Sequence, residues 1–236
     1  MDNSIIYNLS DKTKTNISKL NIMEKINKGN YDKRIVTPHN KVYIIDNIVI
    51  KYKSTYFKEE LEEFIDEATL YLLFNENNIG PEVHDTWYTF RKNKYHGYII
   101  LKKMDCDLMS LMKGTKTDNY ILKENIYVSK EAIKELKYEI IKLHNLDYIH
   151  GDLMPKNILV ELKDNIIIKM HITDFGLTDK RKYVINYDWI KTLYKYHKDH
   201  YPFMKFTIND IYLQPEFLDL QIFELFNIEP NSAKIV

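Results

Sequence analysis

The sequence predicts an α+β protein of two lobes, in which a small lobe rich in β-strands precedes a mostly helical lobe. In the first hundred positions, runs of β-branched and aromatic residues are separated by turn residues and interrupted by one long helical pattern. The second half carries longer helical patterns around one further strand hairpin. At 236 residues the chain is long enough for two tightly associated lobes with a proper core.

Each predicted element follows from a local pattern. A short helix is predicted over 17–26, and β-rich runs at 42–45 and 48–51 form a hairpin around Asp46-Asn47. The remaining elements are a helix over 58–75 that ends before Gly80-Pro81, strands at 83–87 and 98–101, a helix over 129–146, a hairpin of strands at 158–162 and 166–172, and helices over 187–197 and 216–226. We therefore expect an N-terminal extension over 1–34, a first lobe with its hinge over 35–103, and a shortened second lobe over 104–236.

Composition narrows the classes of function. The formal net charge is 0 and the pI is about 7.1, so no overall field attracts nucleic acid or an anionic membrane. The single cysteine, Cys106, excludes an internal disulfide framework and is typical of a reducing compartment. No apolar run is long enough to span a membrane. These observations predict a cytoplasmic protein that binds neither nucleic acid nor membrane.

Three polar residues have the spacing that phosphoryl transfer requires. Asp152 is followed by Asn157, and Asp174 comes 17 residues after Asn157, beyond the predicted hairpin. One carboxylate can orient an acceptor hydroxyl, while an amide and a second carboxylate can hold Mg²⁺, with Mn²⁺ as an alternative, on nucleotide phosphates. Lys156 lies four residues after Asp152, where an ammonium group could offset charge that develops on the transferring group; the alternative is a solvated lysine. The candidate catalytic residues are Asp152 and Lys156, and the candidate metal ligands are Asn157 and Asp174.

The segment His150-Gly151-Asp152, with Asn157 and the later Asp174-Phe175-Gly176, resembles the catalytic loop and the Asp-Phe-Gly segment of the protein-kinase superfamily. The resemblance spans about residues 35–200. It implies a two-lobed kinase fold, ATP and Mg²⁺ as cofactors, and a protein substrate. His150 resembles a residue that packs beneath the catalytic loop, and Asp188 resembles a buried carboxylate that braces that loop from a later helix.

The same resemblance assigns positions around ATP. Lys51 matches the strand lysine that grips the α- and β-phosphates, and Glu67 matches its helical partner, with Glu63 one turn earlier as the alternative. Leu101 matches the gatekeeper of the hinge, although Lys102 stands where kinases commonly carry glutamate. The candidate ATP-binding residues are Val42, Lys51, Glu67, Leu101, Lys102 and Met104.

Three departures separate this sequence from conventional kinases. The turn over 37–41 contains no glycine, Gly151 replaces the usual arginine of the catalytic loop, and only 11 residues separate Gly176 from Asp188. These features resemble the smaller atypical members, including the small kinase of the KEOPS complex, RIO kinases, aminoglycoside phosphotransferases, and compact kinases of viruses and bacterial effectors. A minimal activation segment suggests regulation by a protein partner.

We expect a protein serine/threonine kinase. The alternatives are a KEOPS-like ATPase or small-molecule kinase, and a catalytically weak decoy that only binds a partner. The retained charged residues argue against the decoy, and the absent glycines argue for it.

Overall fold

The computed structural model describes residues 5–9, 19–36, 40–113, 121–181, 191, 194–195, 198, 207, 210–211 and 214–226. The chain divides into two compact units. The N-terminal unit comprises Met1–Asn77 and Pro81–Lys103, and the C-terminal unit comprises Asn78–Gly80 and Met104–Val236. The predicted α+β class is confirmed, because a region rich in β-sheet at the N-terminal side is combined with a helical portion.

The N-terminal unit is built on a six-stranded antiparallel sheet with the strand order β1-β5-β6-β4-β3-β2. Its elements are, in chain order, β1 (Ile5–Asn8), α1 (Lys19–Lys28), β2 (Lys33–Val36), β3 (Lys41–Ile45), β4 (Ile48–Thr55), α2 (Lys58–Glu76), β5 (Val83–Arg91) and β6 (Lys94–Lys102). The sequence predicted that a strand ends at Lys51. That bound was wrong, because residues up to Thr55 continue to pair with β6.

One face of this sheet is covered by α1. Residues that alternate along β3, β4, β5 and β6 form an aromatic-rich core with Ile22 and Met23 of the helix. The ammonium group of Lys19 lies 3.1 Å from the carboxylate of Asp85, which is buried in β5. The segment 1–34, predicted as an extension, thus supplies a strand and a helix to this compact unit.

The opposite face of the sheet packs against α2. The buried residues of α2 recur at helical spacing and are Leu61, Phe64, Glu67, Ala68, Tyr71 and Phe74. The ring of Phe64 lies directly against Gly97 of β6, where any Cβ atom would overlap the ring. Glycine at position 97 therefore allows the helix to approach the sheet closely, and this approach brings Glu67 to β4.

The C-terminal unit contains a four-stranded sheet with the order β10-β13-β12-β7 and two separate two-stranded ribbons, β11-β14 and β8-β9. Its regular elements are β7 (Cys106–Asp107), β8 (Met112–Lys113), β9 (Ile121–Leu122), β10 (Tyr127–Val128), α3 (Lys130–Asn145), β11 (Tyr148–Ile149), β12 (Ile158–Lys163), β13 (Ile166–Ile172), β14 (Asp179–Lys180) and α4 (Phe217–Leu220). Short 3₁₀ helices occur at Leu108–Leu111, Pro155–Asn157, Phe175–Leu177 and Gln221–Phe226.

Local signals explain the central elements of this unit. The hydroxyl of Ser129 accepts a hydrogen bond from the Ala132 amide at 3.0 Å and so caps α3. The turn between β12 and β13 places Asp164 and Asn165 at φ values of 51° and 63°, a left-handed geometry that both residue types tolerate. These elements were predicted within a few residues of their observed bounds.

The two helices predicted near the C-terminal end of the chain are not confirmed as predicted. Much of the helix predicted over 216–226 is a 3₁₀ helix rather than an α-helix. Most of the helix predicted over 187–197 lies outside the described residues, as does Asp188. Among the helices of the described part, none is long and apolar enough to cross a membrane.

Candidate active site

The loop that follows β11 turns sharply at Gly151. Its φ of 78° lies in the left-handed region, which a residue with a side chain rarely adopts. The glycine that replaces the usual arginine therefore meets a backbone requirement of this loop. The turn leads directly into Asp152, whose side chain is buried.

Asp152, Asn157 and Lys156 contact one another within this loop. The Asn157 amide donates from Nδ2 to the Asp152 carbonyl at 2.7 Å and to Asp152 Oδ2 at 3.0 Å. The Lys156 ammonium lies 3.3 Å from the same Oδ2 atom and remains about half exposed. The other carboxylate oxygen, Oδ1, is buried and has no hydrogen-bond partner among the described residues. One oxygen of Asp152 is thus fixed, while the other is left to accept a proton or hydrogen bond.

The β12–β13 hairpin joins the two residues before Asp174 to this loop. Ile158 pairs with Ile172, and the Thr173 amide donates to the Asn157 carbonyl at 2.9 Å. Asp174 follows immediately with φ 66° and ψ 69°, a left-handed conformation that is uncommon for a residue other than glycine. Such strained geometry persists where neighbouring contacts hold it, and it often marks functional sites.

His150 and Phe175 pack against each other, and His150 contacts the loop that carries Asp152. The His150 ring is fully buried; its Nε2 atom lies 3.0 Å from the Thr173 carbonyl, and its Nδ1 atom lies 3.4 Å from the Asp152 amide. A proton on Nε2 satisfies both contacts, since a carbonyl only accepts and an amide only donates. The Phe175 ring lies 5.6 Å from the His150 ring, centroid to centroid. These contacts agree with a structural part for His150.

Asp219, in α4, braces the same loop and was missed by the sequence analysis. Its buried carboxylate accepts hydrogen bonds from the His150 amide at 2.9 Å and the Gly151 amide at 3.0 Å, and it pairs with His144 at 2.9 Å. Burial alone would raise the pKa of Asp219, but the hydrogen bond and charge of His144, with the charge and amide of His150, lower it overall. The sequence analysis had assigned this bracing role to Asp188.

Lys51 and Glu67 form a buried ion pair in the N-terminal unit. Lys51 lies on β4 opposite Val42 of β3, and Glu67 lies on the face of α2 that packs on the sheet. Glu63, the alternative partner, is exposed. Lys53, two residues along the strand, instead pairs with Glu60 near the start of α2 at 3.1 Å.

The candidate hinge residues belong to the end of β6 and the residues after it. Leu101 is buried, whereas Lys102 is exposed and donates its amide to the Glu82 carbonyl at 2.9 Å. The Lys103 amide donates to the Asn47 carbonyl at 3.0 Å. Met104 begins the C-terminal unit and is half-buried. The side chain of Lys102 is therefore exposed to solvent.

The chain after Gly176 is tied back to the strand that precedes the catalytic loop. β14 pairs with β11, and the Arg181 amide donates to the Asp147 carbonyl at 2.8 Å. The Thr178 hydroxyl lies 3.4 Å from the His150 carbonyl, and the Arg181 guanidinium pairs with Glu216 at 2.9 Å. Contacts with other parts of the chain therefore hold residues 178–181.

The chemistry of the donors fits a magnesium ion. Because Asn157 donates from Nδ2 to Asp152, its amide oxygen points elsewhere and can act as a hard ligand, and the Asp174 carboxylate offers oxygens of the same kind. No cluster of three or more His, Cys, Asp or Glu side chains suited to a metal occurs in the described part of the chain. This combination suits Mg²⁺, which binds proteins through one or two ligands together with substrate phosphates.

The sequence is similar to known kinases. The family model described as protein tyrosine and serine/threonine kinase matches residues 19–196. The probable serine/threonine-protein kinase fhkA of Dictyostelium discoideum is 29% identical over 163 residues, which are 66% of this chain and 23% of that protein. The sensor for unfolded proteins in the ER, ire1, of Schizosaccharomyces pombe is 27% identical over 129 residues, which are 52% of this chain and 12% of that protein.

A crystal structure of monomeric WbdD has a TM-score of 0.49 and 13% identity, and the match covers 84% of this chain and 49% of that one. The chain spans less than a quarter of the length of the two curated relatives.

Proposed function

Because this chain belongs to the protein tyrosine and serine/threonine kinase family, we propose that it is an ATP- and Mg²⁺-dependent phosphotransferase that acts on serine and threonine hydroxyls of proteins. The observation that carries the proposal is the arrangement in the C-terminal unit. Asn157 is hydrogen-bonded to Asp152, and Thr173, the residue before Asp174, is hydrogen-bonded to Asn157. These are the acceptor-side and metal-side groups that phosphoryl transfer uses.

Asp152 orients the acceptor hydroxyl. Its Oδ1 atom, which has no partner among the described residues, accepts the hydroxyl proton as the oxygen attacks the γ-phosphorus. The new phosphorus–oxygen bond forms while the bond to the β-phosphate oxygen breaks, and ADP leaves. Lys156, held at Oδ2, offsets negative charge that develops on the transferring group.

The remaining residues bind the nucleotide. Lys51, oriented by Glu67, holds the α- and β-phosphates, while Asn157 and Asp174 hold the metal. Mg²⁺, when bound, neutralises phosphate charge. Val42, Leu101 and the backbone from Lys102 to Met104 surround the adenine. Among the described residues the Met104 amide has no backbone partner outside the strands, so it would donate to the base.

Several finer features belong to the same proposal. The enzyme is a small atypical kinase with a minimal activation segment, works in the cytoplasm, and is regulated by a protein partner rather than by phosphorylation. Support comes from Gly151, which stands where the phosphate-binding arginine would be and has a left-handed φ that disfavours arginine, and from the Arg181–Glu216 pair, which already uses the arginine nearest to Thr178 in sequence.

Two variants separate the roles of the two carboxylates. Asp174→Asn should abolish both Mg²⁺-supported nucleotide binding and turnover, because it removes a charged ligand without changing volume. Asp152→Asn should bind Mg²⁺·ATP with nearly unchanged affinity but lower turnover by about 10²-fold or more, because it acts on the acceptor side. Calorimetry and transfer of radiolabelled phosphate to a generic protein measure the two effects.

Asp164→Asn is the matched control, since Asp164 lies in the turn of the same hairpin at a φ that asparagine tolerates. Unchanged turnover of Asp174→Asn would refute the site assignment. Release of phosphate to water, without transfer to any protein, would instead identify an ATPase.

A further inference from the structure

Glu139 is a buried carboxylate on α3 that takes no part in the site as described so far. Its Oε2 atom accepts a hydrogen bond from the Ile172 amide at 3.0 Å, and its Oε1 atom contacts Nδ1 of His171. Because a carboxylate only accepts, the His171 ring donates from Nδ1. Both contacts lie at the last two residues of β13.

Glu139 lies at an edge of β13 that is only partly paired with another strand. Along one edge, β13 pairs with β12 from Ile166 to Ile172. Along the other edge it pairs with β10 only at Ile166 and Ile167. The far end of that second edge has no neighbouring strand in the described part of the sheet. Glu139 satisfies the Ile172 amide there, where an unsatisfied buried donor would be costly.

The strand end held by Glu139 leads directly to the candidate metal ligand. Ile172 lies two residues before Asp174, and Thr173 between them is held on its other side by Asn157 and His150. Asp174 has a left-handed φ of 66°, which persists only where flanking contacts determine it. Glu139 supplies the contacts from α3, so the orientation of Asp174 depends on a residue 35 positions earlier in the sequence.

We propose that Glu139 is a positioning residue that fixes the end of β13 and thereby aims the Asp174 carboxylate at the metal. This inference rests on the proposed function, in which Asp174 binds Mg²⁺. Groups that orient a metal ligand commonly change metal affinity or activity by about 10–100-fold when they are removed. Glu139 should therefore govern the response to Mg²⁺ rather than nucleotide binding in its absence.

Three variants of the full chain test the proposal. Glu139→Met keeps an unbranched side chain of similar size but removes both acceptors. Glu139→Gln keeps an oxygen for the Ile172 amide, and its amide group can donate to His171 after a change of tautomer, so it serves as the conservative rescue. Ile140→Val trims the neighbouring buried residue of α3 and controls for a general loss of stability.

The expected result is a rise of about tenfold in the Mg²⁺ concentration that half-saturates nucleotide binding for Glu139→Met. Binding in the presence of EDTA should stay unchanged, and Glu139→Gln should lie close to the parent. Hydrogen exchange of the Ile172 amide, measured without nucleotide, should become faster only in Glu139→Met.

Two failures are distinguishable. If Glu139→Met responds to Mg²⁺ as Ile140→Val does, Glu139 is a purely structural residue and this inference is wrong while the proposed function stands. If the parent protein itself binds nucleotide without any dependence on Mg²⁺, the proposed function fails, and the positioning role fails with it.

Discussion

Asp219 shows how one side chain can fix a loop backbone. Its carboxylate accepts two successive amides, from His150 and Gly151, and pairs with His144. Asp219→Asn keeps one acceptor oxygen, but its NH₂ group would face a backbone amide, and both groups can only donate. We expect the free energy of unfolding at pH 7 to fall by about 3 kcal/mol, because buried donors lose a charged acceptor. Urea unfolding measures it, with Asp66→Asn, an exposed carboxylate on α2, as the control.

The pH dependence of this difference gives an independent check. Burial, the largest single influence, raises the pKa of Asp219, but the contacts with His144 and His150 together outweigh it, so the folded-state pKa lies below the ordinary value of 3.8. A carboxylate with a lowered pKa stabilises the fold at pH values above 3.8, and this contribution is lost as pH falls through the folded-state pKa. The gap between parent and Asp219→Asn should therefore shrink below pH 3.8. A gap that widens there would contradict the assignment.

The sequence predicted a candidate site from residues that lie close together in the chain, and it missed residues that contact the same loop from distant positions. Asp152, Asn157 and Lys156 lie within six positions, so their spacing alone made them candidate site residues. Asp219 is 67 positions from Asp152, and nothing in its surrounding sequence marks it as a brace. Glu139 was not predicted either, because a glutamate on an amphipathic helix normally faces water.

At the scale of elements, the contact between α2 and β6 determines where Glu67 can reach. The Phe64 ring occupies the space that a Cβ atom at position 97 would need, and both residues are buried. Gly97→Ala should lower the free energy of unfolding by about 1–3 kcal/mol, the usual effect of overpacking. It should also weaken nucleotide binding by displacing Glu67 from Lys51.

A compensating change makes this prediction specific. Replacing the ring with a smaller side chain, in the double variant Gly97→Ala with Phe64→Leu, should recover part of the lost stability, as expected for residues in direct contact. Chemical denaturation of both single variants and the double variant gives the coupling. Strictly additive effects would show that the two residues do not determine the spacing of α2 from the sheet.

Elements with their own turn signals were predictable, whereas those that depend on distant partners were not. Asp46-Asn47 and Asp164-Asn165 mark hairpins within the sequence itself. β1 offers no such signal, because its partner β5 lies about 80 positions later and pairs Ile5 with Phe90. The same holds for the short ribbon of β11 and β14, which depends on tertiary contacts more than on strand propensity.

For the whole molecule, the order of strands, helix and motifs was enough to predict the family, and the family match over residues 19–196 confirms it. This order could not show how the chain is held after Gly176, because those contacts come from segments far away in sequence. β14 pairs with β11, and Arg181 is engaged by Glu216. These contacts bear directly on regulation.

Activation by phosphorylation usually orders a segment by pairing a new phosphate with arginines. Here residues 178–181 are already ordered by backbone pairing, Thr178 contacts the His150 carbonyl, and the nearest guanidinium is occupied. We therefore expect protein expressed in bacteria and treated with phosphatase to keep its full rate, and Thr178→Ala to stay within about tenfold of the parent, because only one hydrogen bond is lost. Phosphate transfer before and after treatment is the measurement. Loss of activity on dephosphorylation, restored by phosphorylation at Thr178 or Tyr183, would show that the segment is a phosphorylation switch.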